Sequence, residues 1–277
     1  PSLPEQKQIA KYLGHKTTKI DTLIEKKKRL IQLLKEERTA VISHAVTKGL
    51  DPDVSMKGSG IEWLGEIPAH WDVKRLKYIS SLISKGTTPS TIGRSLLSEG
   101  DIRFIKAENI VNNEVVHDPE YFIDEETNDK LRRSQLTEND ILFVIAGATI
   151  GKVAILKNDF LPSNTNQAVS FIRLLQNENY TFCWHWLQTS LILEQVWLEA
   201  VQSAQPNLSM EDLGNFPVPY PRDREQKLIV KYIEKETSRI NSIISKSEKE
   251  IDLLREYRTA LISEVVTGKI DVREEKI

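Results

Sequence analysis

The chain has 277 residues, with 38 Lys/Arg against 40 Asp/Glu and a formal net charge of −2. That length holds one large or two small domains, and no apolar run or leader pattern marks a membrane span or a signal peptide, which fits a cytoplasmic protein. A single cysteine, Cys183, excludes an intramolecular disulfide and fits a buried, inert thiol in a reducing compartment.

Residues 1–52 read as helix and return at the far end of the chain. They align without a gap onto residues 221–272 at a constant offset of 220, with 23 of 52 positions identical. Shared stretches include Glu5-Gln6-Lys7 with Glu225-Gln226-Lys227, and Arg38-Thr39-Ala40 with Arg258-Thr259-Ala260. A duplicated segment on either side of a unique one is an architecture in itself. A short helix opening near Pro4 and closing at Gly14 is predicted, then a second from about Lys16 to Thr47. The second spans roughly 45 Å at 1.5 Å per residue. Gly49 and Pro52 mark its end. Ile20, Ile24, Ile31, Leu34 and Val41 in copy one recur as Ile240, Ile244, Ile251, Leu254 and Leu261 in copy two. Lys27 and Arg38 complete the steps of four and three that define a left-handed coiled-coil seam. Leu23, Leu30, Leu33, Ile243 and Leu253 widen the stripe toward a bundle-like face. A one-sided stripe cannot bury itself, so the copies are predicted to pair with each other. They should run antiparallel, since the segment between them lets the chain turn back. The periodicity alone leaves an unrelated helical hairpin equally open.

Residues 53–220 form the middle domain, entered by a linker over 53–71 in which Trp63 and Trp71 are anchors. Strands are predicted at Ile102–Ile105, Ile141–Ala146, Val153–Leu156 and Val169–Leu174. A helix is predicted from about Phe182 to Ala200, and a short one at Met210–Leu213. Strand and helix signals do not alternate regularly, which favours α+β. This domain carries 14 Lys/Arg against 22 Asp/Glu, a net of −8, whereas residues 1–52 carry 11 against 6, a net of +5. Residues 221–277 form the third region and carry 13 against 12. An acidic domain is not a nonspecific nucleic-acid binder, so any contact with DNA must come from local basic and amide side chains.

The stretch from Gly147 to Lys152 imitates a phosphate loop. It has three residues between the glycines where the motif needs four, Val153 follows the lysine, and strands flank it. A hairpin presenting Thr149 and Lys152 is expected instead. The five His residues have no metal-ligand spacing, and no nucleophile elbow or cofactor loop occurs, so neither catalytic nor metal-binding residues are assigned. Amides concentrate in residues 163–167 and 202–209, where Asn and Gln offer the paired donor and acceptor that match adenine in the major groove. Turn and capping chemistry explains any single one of them as well or better.

Several stretches together carry a resemblance. They are Gln205-Pro206-Asn207-Leu208-Ser209, Phe216-Pro217-Val218-Pro219 and Glu225-Gln226, with Gly60-Ile61-Glu62-Trp63-Leu64-Gly65-Glu66-Ile67-Pro68, Gly86-Thr87-Thr88-Pro89, Thr149-Ile150-Gly151-Lys152 and Asn166-Gln167. In these the chain resembles the specificity subunit of type I restriction–modification systems, over nearly its whole length. It resembles the second half of such a subunit: central helix, second target-recognition domain, C-terminal helix. The start at Pro1, matched by an internal Pro221, fits an excerpt of a longer protein. Two departures are Pro219-Tyr220-Pro221, where the family shows Pro-Leu-Pro, and the charged Arg222-Asp223-Arg224.

The resemblance implies a non-catalytic subunit. One target-recognition domain reads half of a bipartite site in double-stranded DNA, while the paired helices set the spacing and dock methyltransferase subunits. S-adenosylmethionine, ATP and Mg are expected on the methyltransferase and motor/nuclease partners, with no cofactor on this chain. DNA contacts are expected from loops carrying Lys85, Thr87 and Thr88; Lys106 and Asn109; Thr149 and Lys152; Asn164, Asn166 and Gln167; and Gln202, Gln205 and Asn207. The missing half of the reader comes from a further recognition domain or from a second copy in a homodimer. Two rival readings are a coiled-coil adaptor for protein partners and a C-terminal specificity module of a single-chain restriction–methylation enzyme.

Overall fold

The computed structural model describes residues 1–200 and 207–275. Among the α-helices of the described residues, those used below are α1 (Leu3–Lys48), α2 (Tyr180–Leu187), α3 (Ser190–Ala200), α4 (Met210–Asn215) and α5 (Asp223–Val266). Among the strands of the described residues, those that position the site are β1 (Asp72–Arg75), β2 (Ser80–Lys85), β3 (Ile102–Ile105), β4 (Phe122–Ile123), β5 (Ile141–Val144), β6 (Val153–Ile155), β7 (Ser163–Thr165), β8 (Val169–Leu174) and β9 (Pro217–Tyr220). The class is α+β, with long helices at both ends. The chain separates into two compact units, residues 1–41 with 234–277, and residues 42–233.

The first unit is the helix pair. Arg38 donates to Asn241, Arg239 meets Glu37, Lys27 meets Glu250, and Arg258 meets Asp21. As the first helix's number falls from 38 to 21, the second's rises from 241 to 258, which makes the pair antiparallel. Ile20, Ile24, Leu34, Ile240, Ile244, Ile251 and Leu261 are buried in it, with Ile31 and Leu254 partly buried against them. Val41 is half-buried at the end of the stripe. Two contacts are copies of one another: Arg38 with Asn241 becomes Arg258 with Asp21 when each position moves by the repeat offset of 220. The pair therefore has an approximate two-fold axis near Arg29 and Lys249. A two-fold relating antiparallel helices runs perpendicular to their common plane, so equivalent positions face the same side.

One expectation fails here and another holds only in part. Gly14 does not end a helix; α1 is one element of 46 residues. Glycine inside a helix costs about 1 kcal/mol, but the Gly14 carbonyl accepts from the Thr18 hydroxyl at 2.7 Å. Tyr12, Ile9 and Leu13 also pack with Ile270 and Val272, which holds that turn in place. The widened stripe is covered only at Ile243, which packs half-buried against Leu34, Ile240 and Ile244. Leu23, Leu30, Leu33 and Leu253 are exposed by 41–54%; two helices bury only a narrow seam.

In the second unit β6, β5, β8 and β2 form an antiparallel four-stranded sheet in that order. Alternate residues of a strand face opposite sides, and both sides of this sheet are covered. Ile141, Phe143 and Ile172 face a core that includes Trp71, Trp186, Val196 and Leu213, together with Ala45, Val46, Ile229 and Ile233 from the long helices. Leu142, Val144, Val169 and Phe171 face a second cluster with Ile105, Ile110 and Phe160. Burial on both faces explains why β5 reads as an unbroken apolar run. A smaller sheet has the order β7, β3, β4, with β7 parallel to β3, and β9 pairs with β1. Gly49 closes α1 at φ +77°, and Glu225 at the start of α5 accepts from the Trp71 indole at 2.9 Å.

The predicted helix from Phe182 to Ala200 is broken into α2 and α3, because the Thr189 hydroxyl turns back onto the Trp186 carbonyl at 2.8 Å. Pattern reading missed β1, β2, β4, β7 and β9, which are short, or rich in Ser, Pro and charge.

Candidate nucleic-acid interface

The four-stranded sheet is antiparallel throughout, so neighbouring strands point opposite ways and each end of the sheet gathers both N- and C-termini. One end gathers the C-termini of β2 and β5 and the N-termini of β6 and β8: Ser170 faces Lys85, Val169 faces Val144, and Val153 faces Phe143. Residues 86–90, 145–152 and 166–168 all emerge there. Backbone bonds knit them together. The Gly86 amide donates to the Asn166 carbonyl at 3.1 Å, the Thr87 amide to the Thr165 carbonyl at 3.2 Å, and the Ile145 amide to the Ala168 carbonyl at 2.9 Å. The Leu208 amide donates to the Ile145 carbonyl at 2.8 Å, and Asn207 bridges to Ala146, which brings the loop before α4 to the same edge. Ser209 caps α4 through the Asp212 amide.

Gly86 is required by this arrangement. A Cβ on it would lie 1.8 Å from the Thr165 carbonyl oxygen. The segment from 147 to 152 is the β5–β6 hairpin, with Gly147 and Gly151 at positive φ, and no helix follows it to hold a phosphate. The strand pairing carries Lys106 to the same end, since Thr165 lies beside Ile105 in the parallel pair.

Of the residues expected to touch DNA, Lys85, Gln167 and Asn207 are exposed at this edge, and Thr87, Thr88, Thr149, Lys152 and Asn166 are half-buried there. Gln202 and Gln205 lie outside the described residues. Lys106 sits 3.0 Å from Glu108 and stacks over the Tyr121 ring at 3.7 Å. The Tyr121 hydroxyl and Lys106 together hold the Glu108 carboxyl below its ordinary range.

Two residues are spoken for internally. Asn109 is buried, accepts from the Lys106 amide at 3.0 Å and donates to the Pro119 carbonyl at 2.7 Å. Asn164 is fully buried. It accepts from the Ser134 hydroxyl at 2.7 Å and the Thr165 amide at 2.8 Å, and donates to Asn128 at 2.9 Å and the Leu131 carbonyl at 3.2 Å. Neither side chain has a group left for a base. Among the described residues no cluster of His, Cys, Asp and Glu is arranged to hold a metal, and no helix is long and apolar enough to cross a membrane.

An α+β domain that brings discontinuous amide and hydroxyl loops to one sheet edge, flanked in sequence by two copies of one helix, is the build of a specificity module. Residues 68–253 match the family model for the type I restriction modification DNA specificity domain, and the chain belongs to that family. It is 27% identical over 284 residues to the type I restriction enzyme EcoBI specificity subunit of Escherichia coli, covering 98% of this chain and 57% of that protein. It is 28% identical over 200 residues to the MjaIX specificity subunit of Methanocaldococcus jannaschii, covering 72% of this chain and 44% of that one. The chain thus spans about half the length of these relatives. The solved HsdS subunit from Thermoanaerobacter tengcongensis has the same fold, with a TM-score of 0.59 at 15% identity over 98% of this chain and 60% of that one. A chain from a structure of type I R-M complex assembly and conformational transition matches at a TM-score of 0.62 and 16% identity, over 92% of this chain and 58% of its own.

Proposed function

We propose that this chain is the DNA-reading part of a type I restriction–modification complex. Its middle domain reads one half of a bipartite site, and its paired helices set the spacing and dock methyltransferase subunits. The observation that carries this reading is the convergence of residues 86–90, 145–152, 166–168 and 207 on one sheet edge. Such an edge presents amides and hydroxyls to the major groove, where base edges carry a full donor and acceptor code. The chain acts without chemistry of its own. S-adenosylmethionine, ATP and Mg belong to the methyltransferase and motor/nuclease partners, and the complex works in the cytoplasm.

The two-fold character of the helix pair supports docking of two alike partners. Leu33 and Leu253 are equivalent positions, and both are exposed, by 45% and 54%. They face the same side of the pair and offer apolar contact to a partner helix. The missing half-reader is supplied by a further recognition domain or by a second copy of this chain.

Methylome sequencing of the source strain, with and without the gene, tests the reading. Loss of one split adenine-methylation motif is expected. Replacing Asn166 and Gln167 by Ala should alter the bases accepted in one half of that motif. An unchanged methylome in both cases would mean that the domain is an adaptor for protein partners.

A further inference from the structure

A domain with a net charge of −8 must still hold a polyanion. Of its 14 Lys/Arg, Lys57, Lys85, Arg132, Arg133, Lys152 and Lys157 make no ion pair, side-chain hydrogen bond or ring contact among the described residues. The other cations are engaged, for instance Arg94 with Glu126, Arg103 with Glu120 and Arg173 with Asp140. Lys57 lies in the linker, and Lys157 follows β6 at the opposite end of the sheet. Lys85 and Lys152 belong to the reading edge already described. Arg132 and Arg133 remain: two adjacent, exposed arginines without partners.

Their position is fixed by the buried Asn164. They occupy a 3-10 turn, Arg132–Ser134. The turn is tied to β7 by the Ser134 hydroxyl on Asn164, by Asn164 on the Leu131 carbonyl, and by the Leu136 amide on the Ser163 carbonyl at 3.0 Å. β7 is the outer strand of its sheet, and the turn lies on its open side. Asn166 follows two residues after Asn164, roughly 7 Å along a strand. The arginines are thus set beside the reading loops, a short step back from the edge, within reach of a phosphate flanking the bases being read.

We infer that Arg132 and Arg133 bind the DNA backbone beside the reading edge, and that Asn164 is the positioning residue that couples this arginine turn to the loop of residues 166–168. The inference rests on the reading that this edge faces DNA. A guanidinium offers a planar fork that grips phosphate oxygens bidentately and stays charged. Contacts to phosphate set register and affinity and carry no base information. Each such contact contributes about 0.9 to the slope of log affinity against log salt.

The test uses the full chain and a random-sequence 30-base-pair duplex. The variant Arg132→Gln/Arg133→Gln should weaken binding several-fold at low salt and lower the salt slope by about 2. In the source strain its methylation motif should stay the same. Arg132→Lys/Arg133→Lys should recover most of the slope, which a folding defect would not allow. An unchanged slope in the Gln variant, or a changed motif, would overturn the inference. Failure of the base-reading proposal is seen separately, as an unchanged motif in the Asn166 and Gln167 variants.

Discussion

Asn164 and Asn166 are the same residue two positions apart, and they do different work. Asn164 is fully buried and saturated with internal hydrogen bonds; Asn166 stands at the loop edge, its carbonyl taken by Gly86. A buried amide left half-satisfied costs about 1–3 kcal/mol. Gly86 is decided by space in the same way. A Cβ there meets the Thr165 carbonyl oxygen at 1.8 Å, so Gly86→Ala should cost about 1–3 kcal/mol and blur the methylation motif, both readable from a thermal melt and a methylome. His185 belongs to a third kind of site. It is buried, its Nε2 has no partner among the described residues, and its Nδ1 faces Gln188, which in turn accepts from Asn113. Burial pushes its pKa down to about 4. Between pH 6.5 and 4 the unfolded chain takes up a proton that the folded chain refuses, so stability falls as pH falls through that window. The urea midpoint should therefore drop between pH 7.5 and 5, and His185→Phe should remove part of the drop; an equal drop in the variant would sink the assignment.

The helices show how one repeat yields two kinds of surface. At seam positions such as Ile240, fully buried against Leu34 and Ile244, truncation to Ala removes packed volume and should cost about 2–5 kcal/mol. At Leu33 the same chain faces solvent. Leu33→Asp should leave the melting curve of the isolated chain within about 0.5 kcal/mol. It should weaken co-purification with the methyltransferase subunit. Equal loss of stability in both variants would mean that the exposed leucines are part of the seam. The ion pairs across the helices are mostly exposed, and exposed pairs contribute about 0–1 kcal/mol. Their use is in register: Arg38 with Asn241 and Arg258 with Asp21 are one contact written twice.

At the scale of the whole molecule, charge sets how the protein must work. A middle domain of net −8 has little long-range attraction for DNA, so the isolated chain should bind a duplex weakly and with strong salt dependence. Tight, salt-insensitive, sequence-selective binding by the chain alone would contradict this. The sequence by itself determined the duplication, the seam, the α+β class and the family. All of these rest on periodicity and local residue order, which a chain carries before it folds. The tertiary structure decided which amides face outward. Asn109 and Asn164 were legible as polar loop residues, but their burial depends on the Pro119 carbonyl and on Ser134 and Asn128. Arg132 and Arg133 carried no motif at all. What marks them is the lack of a side-chain partner among the described residues where neighbours such as Arg94, Arg103 and Lys130 have one, and partners distant in sequence meet only when the sheets close.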